Sequence, residues 1–157
     1  MNKLFVVMSH TLTQAQKDDF VASYGATKFI TLQEVSPELS KNCQQVDPSA
    51  SLADIQKIAE KVVKCAADNN ATHFYFAGEP TLAMWANLYA YYWIGYPEKI
   101  SGEWRSVVTN TILNTTKVKP MICVQSTTER ISQDVPQSDG SVKKISTFSH
   151  VQWRKLF

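Results

Sequence analysis

Five apolar residues in a row, Leu4-Phe5-Val6-Val7-Met8, give way at once to Ser9-His10-Thr11-Leu12-Thr13. An uninterrupted apolar run this short predicts a buried strand over residues 3–8. Thr13-Gln14-Ala15-Gln16 has the spacing of a capping box, so a helix is predicted to start near Gln14, with Gly25 placed to end it. Lys28-Phe29-Ile30-Thr31-Leu32 is short and β-branched and predicts a second strand. Residues 33–50 hold Ser36-Pro37 and Asp47-Pro48 without periodicity, which predicts a loop with at most a helical turn after Pro37.

The clearest periodicity follows Ser51. Leu52, Ile55, Ile58, Ala59, Val62, Val63 and Ala66 recur at helical spacing and define one apolar face. Residues 72–77 then predict a third strand, and Gly78-Glu79-Pro80-Thr81 a tight turn into a helix over about 82–94. That helix is apolar nearly all round (Leu82, Met84, Trp85, Leu88, Tyr89, Tyr92, Trp93), so it must be covered on more than one side, by a partner subunit or by the chain's own core. Residues 95–119 form a less patterned stretch with breakers at Tyr96-Pro97 and Ser101-Gly102. It reads as an insertion, with a short helix predicted over 104–113. Residues 120–125 predict a fourth strand. Asp139-Gly140 marks a hairpin turn leading into strands over 142–148 and 151–156. The order β-α-β-loop-α-β-α-β, followed by β-rich residues, predicts one domain over 1–157. The expected fold class is α/β, a Rossmann-like three-layer sandwich with a mostly parallel sheet and antiparallel C-terminal strands.

Charge narrows the partners. The net charge of +2 is too small for a long nucleic-acid footprint. Residues 1–116 carry 9 Lys and Arg against 11 Asp and Glu, whereas residues 117–157 carry 7 against 3. A modestly cationic C-terminal segment suits a small anionic ligand. No stretch has the apolar length of a membrane span or of a signal peptide core, so the expected place is the cytoplasm, without membrane partners. Cys43, Cys65 and Cys123 are odd in number and widely spaced, as free thiols in a reducing compartment would be.

No GxGxxG, Walker loop, HExxH, CxxC or GxSxG stands in the chain, so nucleotide cofactors and metals are not expected. What remains is polar residues at predicted strand ends: Ser9, His10 and Thr11 after the first strand, Gly78 and Glu79 after the third, and Gln125, Ser126, Thr127, Thr128 and Arg130 at the fourth. Parallel neighbouring strands would bring these to one rim, where hydroxyls, backbone N–H groups and an arginine can hold phosphate oxygens. Lys143 and Lys144 point to opposite faces of a strand, so one at most should join them. Each residue also has a plain structural explanation. Ser9 and Thr11 can satisfy loop backbone, Glu79 can complement its helix dipole, and the aromatic helix can be core.

The opening Lys3-Leu4-Phe5-Val6-Val7-Met8-Ser9-His10-Thr11-Leu12-Thr13, with Ser126-Thr127-Thr128-Glu129-Arg130, Asp139-Gly140-Ser141-Val142-Lys143-Lys144, Phe148-Ser149-His150-Val151 and Trp153-Arg154, resembles the small stand-alone CRISPR-associated ring nucleases of type III systems. These look like reduced relatives of the Rossmann-like CARF domain. The resemblance implies a cyclic oligoadenylate ligand, cyclic tetra-adenylate above all, cleaved at its phosphodiester bonds to silence downstream effectors. It also implies a homodimer with the ring across the two-fold axis. Because RNA carries its own 2′-OH nucleophile, such cleavage needs no metal. On this resemblance His10 is the expected general acid or base. Arg130 and Lys143 or Lys144 would stabilise phosphate charge. Ser9, Thr11 and Thr127 would orient it, and His150 is a second acid–base candidate. A cyclic-nucleotide sponge and a protein-interaction subunit docking through helix 82–94 are the alternatives.

Overall fold

The structure is a computed structural model that describes residues 1–95, 97–100, 103–106 and 120–157, with side chains described over 1–91 and 120–157. The elements run β1 (Asn2–Val7), α1 (Gln14–Tyr24), β2 (Thr27–Thr31), α2 (Leu32–Val35), α3 (Pro37–Gln44), α4 (Leu52–Asp68), β3 (His73–Phe76), α5 (Pro80–Gly95), β4 (Pro97–Ile100), β5 (Glu103–Ser106), β6 (Ile122–Pro136) and β7 (Val142–Lys155). Five strands form one mixed sheet in the order β2-β1-β3-β6-β7. Its first four strands are parallel, and β7 returns antiparallel to β6. Strands β4 and β5 make a separate antiparallel pair.

The apolar run of β1 is explained by burial on both faces. Phe5 and Val7 point into one core with Phe74, Phe76 and Cys123, where α4 supplies Ala59, Val62 and Val63 and α5 supplies Leu82, Ala86 and Tyr89. Leu4 and Val6 point the other way, into a smaller core with Tyr75, Val124, Trp153 and Phe20 of α1. Helices therefore cover both faces of the sheet. Each large side chain fully removed from water, such as Phe5, Phe20 or Phe74, contributes roughly 1.5–3 kcal/mol. One face of the described part of α5 packs against the chain's own α4 and sheet, while Met84 and Tyr91 stay exposed. Among the described residues, no helix is long and apolar enough to cross a membrane.

Local chemistry sets the boundaries. Thr13 caps α1 in a reciprocal box with Gln16, and Gly25 ends that helix at φ 90°, a conformation costly for any side-chain-bearing residue. Ser51 caps α4 by accepting from the Asp54 amide.

Four sequence expectations need correction. Residues 33–50 are not mainly loop. Thr31 and Glu34 form a second capping box that starts α2, and Pro37 in the first turn of α3 suits a helix start. Both helices are too short to display periodicity. The fourth strand does not end at Gln125 but runs on to Pro136, and the two expected C-terminal strands are one. An extra residue, Val151, bulges out of β7 where the register shifts between Thr127 and Thr128, which hid the continuity. Finally, the start of the helix expected over 104–113 is strand β5, and its remainder lies outside the described residues.

Candidate functional site

The chain leaves β1 to form β2 on one side and returns to form β3 on the other, so the sheet reverses its winding between β1 and β3. Ligand crevices in open α/β sheets form at such reversals, beyond the carboxyl ends of the strands. The two ends are tied together here, since the Ala77 amide donates to the Val7 carbonyl at 2.8 Å.

Beyond β1 lie Ser9, His10 and Thr11, all exposed. Buried Leu12 anchors this turn to the smaller core, and the Thr13 box fixes its far end. Ser9 Oγ lies 3.4 Å from His10 Nδ1, and no described residue pairs with His10 Nε2. Beyond β3 lies Gly78, where a Cβ would come within 2.9 Å of the Phe76 ring, so only glycine allows that approach without displacing the ring. Glu79 is a helix cap. Its Oε2 accepts from the Leu82 amide at 2.7 Å, and that hydrogen bond holds its carboxyl below the usual range.

Between these two turns and α3 is a pocket of about 240 Å³. Residues 7–9 and 76–79 form one side of it; Ser40, Cys43 and Gln44 form the other. Ser40 is almost fully buried, and its Oγ accepts from Gln44 Nε2 at 3.3 Å. Burial pushes the Cys43 thiol up to about 12, so no thiolate lines the wall at neutral pH.

The fourth-strand candidates divide. Thr127 stands three residues past the Tyr75–Val124 pair, as Gly78 stands three past Tyr75, so it comes level with the rim. Its hydroxyl donates across the strands to the Gln152 carbonyl. Gln125 is half-buried at the same end, its Nε2 3.4 Å from the Ser126 carbonyl oxygen, and Thr128 is exposed. Arg130 lies three residues further out, roughly 10 Å along the strand. It is exposed, with Nη2 donating to Ser146 Oγ and its guanidinium over the Phe148 ring at 5.9 Å. Lys143 and Lys144 pair with Val135 and Asp134 near the ribbon's tip. Eight residues separate Val135 from Thr127, roughly 26 Å, so one chain does not bring its own lysines to its own rim.

His150 is positioned differently from His10. Its Nδ1 meets Ser126 Oγ at 2.8 Å and its Nε2 meets Asp19 Oδ2 at 2.9 Å, with the His150 side chain only 6% exposed. Gln16 Nε2 also donates to Ser126 Oγ, and Trp153 Nε1 donates to the Gln16 carbonyl. A run of donors from Gln16 through Ser126 and His150 to Asp19 fits the Nε2–H tautomer and ties α1 to the base of the β6–β7 ribbon. Both ring nitrogens of His150 are engaged within the chain, and Ser126 is buried. Neither group therefore faces an open surface.

Sequence reasoning missed Gln16 as a partner of Ser126 and Asp19 as a partner of His150, and Ser40, Cys43 and Gln44 as pocket wall. The second group had a signal in Thr31-Leu32-Gln33-Glu34 and Pro37, which mark two consecutive helix starts.

This is an α/β protein with helices on both faces of a mostly parallel sheet, and with a pocket at its winding reversal. The chain belongs to the family described as the Uncharacterized protein MJ1673 family, whose model matches residues 2–91 and 99–154. It matches no curated protein and no solved structure.

Proposed function

We propose that this protein is a ring nuclease that binds a cyclic oligoadenylate, with cyclic tetra-adenylate as its ring, and cleaves it to silence type III CRISPR signalling. The observation that carries the reading is the placement of His10. It is an exposed imidazole with its Nε2 unclaimed by any described residue, next to Ser9, whose hydroxyl lies beside the ring and which itself lines the pocket on the winding reversal. The sequence resemblance at both ends of the chain gives the ligand class. The strand order, with β2 and β3 flanking β1 and helices on both faces, supports a Rossmann-like, CARF-like relationship.

In this reading the ribose 2′-oxygen attacks the adjacent phosphorus. The 2′-O–P bond forms, the P–O5′ bond breaks, and the products are a cyclic 2′,3′-phosphate and a free 5′-hydroxyl. His10 takes the 2′ proton or gives one to the leaving 5′-oxygen, a role for which an imidazole is suited near neutral pH. Ser9, Thr11 and Thr127 orient the phosphate from the rim. His150 acts as a positioning residue, since Ser126 and Asp19 hold both its nitrogens.

Phosphate charge is met by Arg130 and the ribbon lysines of a second copy. A two-stranded ribbon is marginal alone in water, and this one exposes Ile131, Ile145, Phe148 and Val151. Phe148 shares a face with Arg130 and Lys144, opposite to Ile131 and Ile145, and pairing of two copies through the Phe148 face would cover it and bring distant cations to a symmetric ring.

Incubating the protein in EDTA with cyclic oligoadenylates of different ring size, and reading melting temperature and products together, tests the reading. A thermal shift with linear products from cyclic tetra-adenylate is expected. Return of the ring intact would make the protein a sponge, and no shift with any ring would overturn the proposal.

A further inference from the structure

We propose that the pocket between α3 and the ends of β1 and β3 takes one adenine base of the ligand, and that Gln44 reads its edge. This rests on the ring-nuclease reading for the identity of the ligand, but the pocket's own chemistry selects the part it holds.

Size comes first. About 240 Å³ is below the roughly 300–1,000 Å³ of sites that hold drug-sized molecules, which leaves room for a single planar base. Charge comes second. The ionisable groups of the lining are the Glu79 carboxyl, turned to the Leu82 amide, and the Cys43 thiol, kept neutral by burial. With a carboxylate and no cation among the described residues of its wall, the pocket repels phosphate and accepts an uncharged ring. The phosphates are thereby left outside, where Ser9 and His10 lie exposed.

Shape and hydrogen bonding come third. Val7, Phe76 and Ala77 supply an apolar side, and the absence of a Cβ at Gly78 lets the Phe76 ring stay close beneath that turn. Opposite them, Ser40 holds one N–H of the Gln44 amide. No described residue claims the second N–H or the carbonyl oxygen of that amide, which leaves one donor beside one acceptor. A glutamine amide pairs in this way with adenine, accepting from N6 and donating to a ring nitrogen. Helix α3 thus becomes the specificity element, a role that no candidate residue from the sequence suggested.

The test titrates the full-length protein and its Gln44→Ala and Gln44→Glu variants with cyclic tetra-adenylate. Adenosine 5′-monophosphate and uridine 5′-monophosphate are titrated in parallel, with amide NMR signals as the readout. Gln44 is exposed, so both variants should keep the fold, with only a small fall in melting temperature from the partner lost to Ser40. Each is expected to bind the ring about tenfold more weakly, and the adenylate, unlike the uridylate, should shift the amides of Ser40, Gln44 and Gly78. If the ring binds and Gln44→Ala binds it equally well, the base pocket is wrong and the ring-nuclease reading stands. If the ring does not bind but the adenylate alone shifts those amides, the pocket stands and the ring reading falls. If neither ligand has any effect, both fall.

Discussion

The three histidines of this chain have three different environments, and the environments separate their roles. His10 is exposed beside Ser9 and free at Nε2 of any described partner. His150 is held at both nitrogens by Ser126 and Asp19. His73 is buried against Phe20 and Tyr24, with Nδ1 on Thr72 Oγ1 and Nε2 unpaired among the described residues. Burial first, and the Lys155 charge second, hold the His73 ring below its usual value. The folded state therefore resists a proton that the unfolded chain accepts. His73 contributes stability above the ordinary imidazole range, and that contribution is lost as pH falls through its lowered folded value. Melting temperature should drop between about pH 7.5 and about pH 5, and His73→Phe, which keeps the aromatic packing, should flatten part of that drop. Equal pH slopes for the two proteins would show that another group drives the acid sensitivity.

Among the elements, the long β6–β7 ribbon departs most from what the sequence displays. Strand β1 was legible because burial on both faces leaves an unbroken apolar run, and α4 because seven apolar positions repeat at helical spacing. The ribbon was not. Beyond Ser126 it has no core to face, so its strand residues lose the apolar alternation that marks a half-buried strand. The Val151 bulge then breaks what pattern remains in β7. The site suffered from the same cause. Ser9, Gly78 and Thr127 come to one level as their strand positions implied, while Arg130, Lys143 and Lys144 are carried outward along the ribbon. If two copies pair through the ribbon, sedimentation should find a dimer for the wild type, and Phe148→Asp should return it to monomer with little change in melting of the core. A wild-type monomer at all concentrations would remove the ribbon cations from the site.

The whole molecule joins a rigid scaffold to a rim built from turns. Two cores on opposite faces of the sheet fix β1 and β3, and the Ala77–Val7 hydrogen bond fixes their ends relative to each other. The turn that presents Ser9 and His10 beside the pocket is held at its far end by buried Leu12 and the Thr13 cap, which lowers the ordering cost of binding. That division assigns binding to the pocket, the rim hydroxyls and the ribbon, and proton transfer to His10 alone. Single-turnover cleavage of cyclic tetra-adenylate by wild type and His10→Ala, with affinity measured on the same samples, tests this assignment most directly. His10→Ala should bind the ring with nearly wild-type affinity and cleave it about 10²–10⁴-fold more slowly. Cleavage at the wild-type rate by His10→Ala would contradict that assignment.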